Sequence, residues 1–167
     1  DLPISIAYTF SEGDDPEVVE WLKSTEKRPE LFPIGPTSAR LRRHPTLADS
    51  LGRLVKQHDV VHIHGLWEEI QWCGHRVAAR LHKPIVLSPH GMLSPWSLGH
   101  SSLKKRAYWF WRWGHQVAKT SCIHSLTLSE QRQLCWVDGV PRLVEPLGID
   151  FPLEESDNVK GEVDEMQ

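Results

Sequence analysis

Short runs of β-branched and apolar residues recur along this chain, and stretches of helical periodicity separate them. Leu2–Phe10 (LPISIAYTF), Asp59–His64 (DVVHIH), Ile85–Ser88 (IVLS) and Cys122–Leu126 read as strands, and Leu31–Ile34 and Leu143–Glu145 as shorter ones. Asp15-Pro16-Glu17 caps a helix expected to reach Lys27, and Thr46–Gln57 carries Leu47, Leu51, Leu54 and Val55 at helical spacing. Further helices are expected over Glu68–Leu81, from Ser101 or Ser102 to Lys119, and from the capping box Thr127-x-x-Glu130 to Trp136. Pro89–His100 reads as a loop. Strict strand–helix alternation argues an α/β fold, a doubly wound parallel sheet with helices on both faces. DVVHIH lacks strict polar alternation, the pattern of a central strand covered on both sides.

The 167 residues suffice for one core, and 40% hydrophobic with 25% charged residues is a globular balance. No run approaches the apolar length of a membrane span, and no start resembles a signal peptide. Cys73, Cys122 and Cys135 lack C-x-x-C spacing, so a reducing, cytoplasmic setting is expected. The net charge of -3 hides a strong asymmetry. Residues 154–167 hold six acids against Lys160, and the segment after Pro152 is expected to be an acidic linker or disordered tail, 153–167, beyond a folded unit spanning 1–152. From Ile70 to Ser129 there is no Asp or Glu, while eight Lys and Arg residues occur. Such a block either faces an anion or is a solvated basic face.

In open parallel sheets ligands gather at the carboxyl ends of the strands. Three such ends stand out: DVVHIH is followed by Gly65-Leu66-Trp67, IVLS by Pro89-His90-Gly91-Met92, and CIHSLTL by Ser129-Glu130. His62 and His64 share a strand face, and the glycines admit close backbone approach. His64 and His90, each beside a glycine at a strand end, read as site residues. His62 and His124, inside strands, read as satisfied core residues. Converging imidazoles can bind zinc and activate water, which makes a metal-dependent hydrolase using His62, His64 and His90 one reading. Alternatively the histidines and glycine amides hydrogen-bond sugar hydroxyls and phosphate oxygens without a metal, with Trp67 and Trp96 stacking on a sugar ring.

Leu103–Lys119 (LKKRAYWFWRWGHQVAK) is the other unusual segment. At helical spacing Leu103, Ala107, Phe110, Gly114 and Val117 form an expected core-facing stripe, with Lys104, Lys105, Tyr108, Arg112 and Lys119 opposite. Trp109 and Trp113 flank that stripe. Basic residues with tryptophans suit adsorption to an anionic membrane, and burial of the tryptophans against a neighbouring helix or domain is the alternative. No recognised nucleic-acid motif accompanies them, and nucleic acid is not expected as a partner.

In order and spacing, DVVHIHGLW (Asp59–Trp67), AARL (Ala78–Leu81), KPIVLSPHGML (Lys83–Leu93), Pro95-Trp96, LKKRAYW (Leu103–Trp109) and EPLGID (Glu145–Asp150) resemble the N-terminal domain of the family 4 GT-B glycosyltransferases. The resemblance covers roughly Pro45–Pro152. It implies a Rossmann-like domain forming the acceptor-side wall of a cleft, with a nucleotide-sugar donor held mainly by a second, C-terminal domain. It implies transfer with retention and no metal or other cofactor. His90 corresponds to a histidine near the transferred sugar; His64, Gly65, Leu66, Trp67, Gly91, Met92 and Trp96 fall on substrate-binding positions. Lys104, Lys105, Arg106 and Arg112 are expected to meet phosphate or a membrane surface. The acceptor would be a glycan or lipid-linked precursor, at the inner face of the plasma membrane.

The chain also departs from the family pattern. The family's first strand and glycine-rich loop have no counterpart, Leu2–Phe10 resembling the second strand, and Leu126-Thr127 stand where relatives carry Thr-Ser. The donor domain with its paired glutamates is not in the sequence. A fragment of a longer enzyme, inactive alone, is therefore expected, and a non-catalytic module that adsorbs to membranes is the third reading.

Overall fold

The computed structural model describes residues 3–11, 29–37, 42–99, 102–134 and 137–148. The helix expected before Lys27, Cys135 and the acidic tail lie outside the described residues, as does the side chain of Arg106.

β1 (Ser5–Thr9) and β2 (Glu30–Ile34) pair in parallel, Ser5 opposite Glu30 and Thr9 opposite Ile34. Pro33, which has no N–H to give, lies in β2 at the edge of this ladder. α1 (Leu47–Lys56) turns Leu47, Leu51 and Val55 inward, as the spacing predicts. The remaining strands, β3 (Val61–His64), β4 (Ile85–Ser88), β5 (Cys122–Ser125) and β6 (Arg142–Val144), form a second parallel sheet in sequential order. Between them run α2 (Glu69–Arg80), the short α3 (Pro95–Gly99), α4 (Ser102–Tyr108) and α5 (Leu128–Gln133). α3 occupies part of the expected Pro89–His100 loop, with Pro95 at its first position, where a missing N–H costs nothing.

The fold is thus α/β with parallel strands and intervening helices, its strands divided between two ladders. No ladder joins β1 to β3 among the described residues. A shared helical layer holds the two together. Ala7, Ile34, Leu47, Leu51 and Cys73 pack in one cluster, Ile63, Ala78, Ile85 and Leu87 in the other, and Trp72 and Val77 of α2 touch both.

β3 departs from the expected central strand. It lies at an edge of the four-stranded sheet, and its pattern alternates: Ile63 is buried while His62 and His64 are exposed. Ile63, Leu87 and Ile123 are in register and form one row of the core. Because successive side chains alternate, His62 and His64 lie on the opposite face.

The expected long helix to Lys119 is broken into three parts. α4 ends at Tyr108, a π-helical turn spans Trp109–Trp113, and a 3-10 turn spans Val117–Lys119. The Gly114 N–H reaches back to the Trp109 carbonyl at 3.0 Å, the wide spacing that marks the π turn. Its effect is to invert the expected packing. Leu103 and Phe110, placed in the core stripe by their spacing, are 81% and 82% exposed, and Gly114 and Ala107 also face solvent. Trp113 and Arg112 are buried instead.

The inner side supplies the reason for that inversion. Trp113 Nε1 donates to the Leu66 carbonyl at 3.0 Å, and Trp109 stacks on it at 6.3 Å. The Arg112 guanidinium lies 3.9 Å over the Trp72 ring and donates to Glu69 at 3.1 Å, while Trp72 Nε1 donates to the Arg112 carbonyl. Burying one large indole contributes more than one exposed Leu would, and a carbonyl partner for the indole nitrogens of Trp113 and Trp72 removes their penalty.

Candidate active site

β3, β4 and β5 bring four imidazoles to one sheet face. In register, His64 lies opposite Ser88, and His124 lies opposite Leu143. Ser88, wholly buried, accepts or donates on both sides: its Oγ is 2.7 Å from His62 Nε2 and 2.9 Å from His124 Nδ1. His124 Nε2 in turn lies 2.8 Å from the Glu145 carbonyl.

Only one proton arrangement satisfies this chain with neutral rings. A carbonyl cannot donate, so His124 Nε2–H donates to Glu145 and Nδ1 accepts. The Ser88 hydroxyl therefore gives its single proton to His124 and accepts from His62 Nε2–H. His62 is held neutral over a wide pH range: its pKa falls to about 4, first through desolvation around the nitrogen sheltered on Ser88, then through His64, His124 and His90.

His64 and His90 form the outer pair. Their rings lie nearly parallel, 12° between planes and 5.1 Å between centroids, and meet edge to edge, His64 Nδ1 lying 2.9 Å from His90 Nε2. One nitrogen donates and the other accepts, so both rings cannot present protons there at once. Desolvation, then the proximity of His90 and His124, lowers the pKa of His64. His62 completes the group with its ring 4.2 Å from that of His64.

Backbone geometry positions His90. It adopts φ 51°, and Gly91 follows at φ 71°. Two successive left-handed residues are strained for any side chain but glycine, and they reverse the chain as it leaves β4. The Glu130 carboxylate fixes that turn: Oε1 accepts the Gly91 N–H at 2.7 Å and Oε2 the Leu126 N–H at 2.9 Å. The expected capping box at Thr127 is thus only half formed. Thr127 accepts the Glu130 N–H, but the Glu130 side chain reaches the β4 turn instead. A true reciprocal box opens α2, where the Glu68 N–H donates to Gln71.

Gly65 has φ 82°, and a Cβ there would stand 3.3 Å from Met92 Cε. Backbone conformation calls for glycine here, and an added methyl would also press on the flexible end of the Met92 side chain. Met92, half-buried, packs on this backbone and on the core. Trp67, half-buried, meets Tyr108 edge-on at 5.9 Å, with the Lys105 ammonium 5.8 Å from its ring.

Compared with models of known protein families, the chain matches Glycosyltransferase Family 4 over residues 6–151. The chain belongs to glycosyltransferase family 4. It is the N-terminal domain of such an enzyme, and transfer of a glycosyl group is the activity of its family. Neither a curated protein nor a solved structure matches it significantly.

In this family 4 domain the structure gathers His64, His90, Gly65, Gly91 and Met92, with His62 and His124 as members of the same group. The reading of His62 as a core residue is corrected: Ile63 takes the core side and leaves both flanking histidines outside. Leu66 is wholly buried, so only its backbone is at hand, and its carbonyl already accepts Trp113. Trp96 is 76% exposed on α3.

The basic residues divide. Lys104 is exposed, and Lys105 donates to the Ser97 carbonyl at 2.6 Å. Arg112 does not reach the surface as expected, because its guanidinium is held between Glu69 and Trp72. Among the described residues no group of three or more His, Cys, Asp or Glu side chains is arranged to hold a metal ion. Glu130 was marked in the sequence only as part of a strand end, without a role in the site, and Ser88 was not singled out; a polar residue closing an apolar strand is the one signal that marks Ser88.

Proposed function

We propose that this domain forms the acceptor-side wall of the cleft in an enzyme that transfers a sugar, with retention, from a nucleotide-sugar donor to a glycan or lipid-linked acceptor. The observation that supports it best is the His64–His90 pair, set at the carboxyl ends of neighbouring parallel strands and fixed by two left-handed residues and Glu130. His90 is the catalytic residue of this reading. It hydrogen-bonds the transferred sugar, and its own orientation is set by the hydrogen bond to His64 beside it. A pre-set donor of this kind acts without reorganising as charge develops.

Gly91 allows the acceptor to approach the backbone, whereas Gly65, buried beneath Met92 and Gln71, shapes the turn without being open to it; Met92 supplies apolar contact, and Trp67 and Trp96 offer rings for a sugar to stack on. A second domain holds the donor, and positive groups together with helix N-termini receive the departing diphosphate. The reaction needs no divalent ion.

The test uses the native enzyme that contains this domain, supplied with a panel of nucleoside-diphosphate sugars and a lipid and glycan extract of its source cells. Release of nucleoside diphosphate is measured. His90→Ala is expected to lower turnover about 100-fold, the size of effect seen when one preorganised donor is removed. Unchanged turnover in a folded variant would remove His90 from the reaction. Chelation by EDTA is expected to leave the rate unaltered; loss restored by zinc would favour the hydrolase reading instead.

A further inference from the structure

Where the start of α2 meets the end of α4, three buried polar atoms have no hydrogen-bond partner among the described residues: the Tyr108 hydroxyl, Arg112 Nε and Glu69 Oε2. They belong to one cluster. Arg112 donates through Nη1 to Glu69 Oε1 at 3.1 Å, and its Cζ lies 5.8 Å from the centre of the Tyr108 ring. Arg43 Nε approaches Glu69 Oε2 only to 3.6 Å, beyond hydrogen-bond reach. The Arg112 side chain is 7% exposed, so its Nε does not turn to solvent.

A buried donor or acceptor left unmet destabilises a fold, and each one calls for an explanation. Nothing in the packing calls for an oxygen on Tyr108. Phenylalanine would fill the same place, keep the edge-on contact with Trp67 at 5.9 Å and leave no donor unpaired. The hydroxyl therefore points to a partner from outside the fold.

The three atoms define that partner. Burial raises the Tyr108 pKa and outweighs the opposing pull of Arg112, so the phenol keeps its proton and donates. Arg112 Nε–H also donates, and Glu69 Oε2 accepts. A group with acceptor oxygens beside a hydroxyl meets all three, and a saccharide carries that pattern. Charge narrows the class. Glu69 already matches Arg112, and Glu68 pairs with Arg42 at 3.2 Å. Arg43 has only its long approach to Glu69, and the Lys105 ammonium, 5.8 Å from the Trp67 ring, rests on the neutral Ser97 carbonyl. These two cations favour a ligand with a negative group. Arg43, whose side chain is 57% exposed, is the member able to swing aside, since so exposed a pairing contributes little. Trp67 stands three residues beyond His64 on the turn leaving β3, which sets the cluster beside the outer histidine pair.

We propose that Tyr108, Arg112, Glu69 and Arg43, beside Trp67, form a subsite for an acidic saccharide unit of the acceptor. The anionic group meets Tyr108, Arg112 Nε and Arg43, and a neighbouring sugar hydroxyl donates to Glu69. The subsite rests on the acceptor-side reading of this domain and adds the charge of the sugar that it takes.

The test titrates the full chain with glucuronate, glucose 6-phosphate and glucose, following the indole N–H signal of Trp67 by NMR. At least one acidic sugar is expected to bind about tenfold more tightly than glucose, and which one does so identifies carboxylate or phosphate as the recognised group. Tyr108→Phe is expected to weaken that binding about tenfold while leaving the urea midpoint unchanged or higher, because the lost hydroxyl had no partner in the fold. Arg43→Gln should erase the preference for the acidic sugar. The proposal is overturned by equal binding of all three sugars or by none, by undiminished binding in Tyr108→Phe, or by a preference that survives Arg43→Gln. A lowered urea midpoint in Tyr108→Phe would also overturn it, since the hydroxyl would then be satisfied within the folded chain. His90→Ala should bind the acidic sugar as wild type does, so failure of the subsite and failure of the role given to His90 show separately.

Discussion

Glu130 holds Gly91: its carboxylate accepts the Gly91 N–H at 2.7 Å across 39 residues of sequence and ties the β4 turn to the start of α5. Its other oxygen accepts the Leu126 N–H, so one side chain sets the distance between two strand ends. His90, next to Gly91, inherits that position. Glu130 acts as a positioning residue, because its oxygens are spent on backbone.

Glu130→Ala leaves two part-buried N–H groups unpaired, and each such loss costs about 1–3 kcal/mol. Destabilisation of that order should appear in urea unfolding of the full chain. In the native enzyme turnover should fall about tenfold or more through displacement of His90. Glu130→Gln keeps a single acceptor oxygen and should fall between the two. An alanine variant with wild-type turnover would show that the β4 turn holds itself.

Ser88 is the hinge of the inner histidine chain. Ser88→Ala removes an acceptor from His62 and a donor from His124 at once, with a stability cost of about 1–3 kcal/mol. Nitrogen NMR offers a sharper reading. With neutral rings, both His62 and His124 should carry their proton on Nε2 in the wild-type chain. Protonating His124 forces its Nδ1 to donate, which turns the Ser88 hydroxyl toward His62 and moves the His62 proton to Nδ1. The two rings should therefore switch together in wild type and separately in Ser88→Ala. Independent switching in wild type would refute the relay.

Gly65→Ala should destabilise the chain by about 1–2 kcal/mol, since φ 82° is a left-handed conformation and the added methyl would press on Met92. A companion Met92→Ala removes the clash but not the backbone strain. The double variant should thus recover only part of the loss, if any, which a double-mutant cycle would measure.

The strands and most helices were legible because their signals are local: β-branched runs, proline at helix starts, and Leu47, Leu51 and Val55 at one spacing. The packing of 102–119 was not. Its inner face is chosen by Trp113 reaching Leu66 and Arg112 reaching Glu69, partners 47 and 43 positions away. Periodicity shows an apolar stripe opposite a basic side, but tryptophans flank both, and only the tertiary anchors decide which side is buried. The histidine group was half legible for a related reason. His64 and His90 were marked by the glycines beside them, whereas His62 depends on which face Ile63 takes. Glu130 was read as a local cap, because nothing in Thr127-x-x-Glu130 reveals that the β4 turn competes for its carboxylate.

Arg112 illustrates why charge alone does not describe a basic residue. Its guanidinium lies flat over Trp72 at 3.9 Å while bonded to Glu69, a geometry that an ammonium cannot reproduce. Arg112→Lys should therefore destabilise although it keeps the charge. Arg112→Ala should cost more, up to about 3–5 kcal/mol, because it leaves the sheltered Glu69 with Arg43 at 3.6 Å as its one ion partner among the described residues. Thermal unfolding of both variants checks the order; a lysine variant as stable as wild type would reduce the contact to simple ion pairing.

Acid should destabilise the domain through His75. His75 is wholly buried, its Nε2 bonded to Thr120 at 2.9 Å and its ring edge-on to Trp113. Burial first, then Lys119, drives its pKa down to about 4, with Gln116 acting weakly in the other direction. The unfolded chain keeps the ordinary value near 6.5, so between these limits the unfolded state binds more protons. Stability is accordingly undiminished above about pH 6.5 and falls as the pH drops toward 4, by a total on the order of 3 kcal/mol. His62 adds a smaller contribution of the same sign, because its ring is partly solvated. Urea midpoints measured from pH 7 downward should show this slope. In His75→Gln, which retains a polar group for Thr120 but cannot titrate, the slope should flatten even if the variant is less stable at pH 7. A slope identical in the variant and wild type would place the acid sensitivity elsewhere.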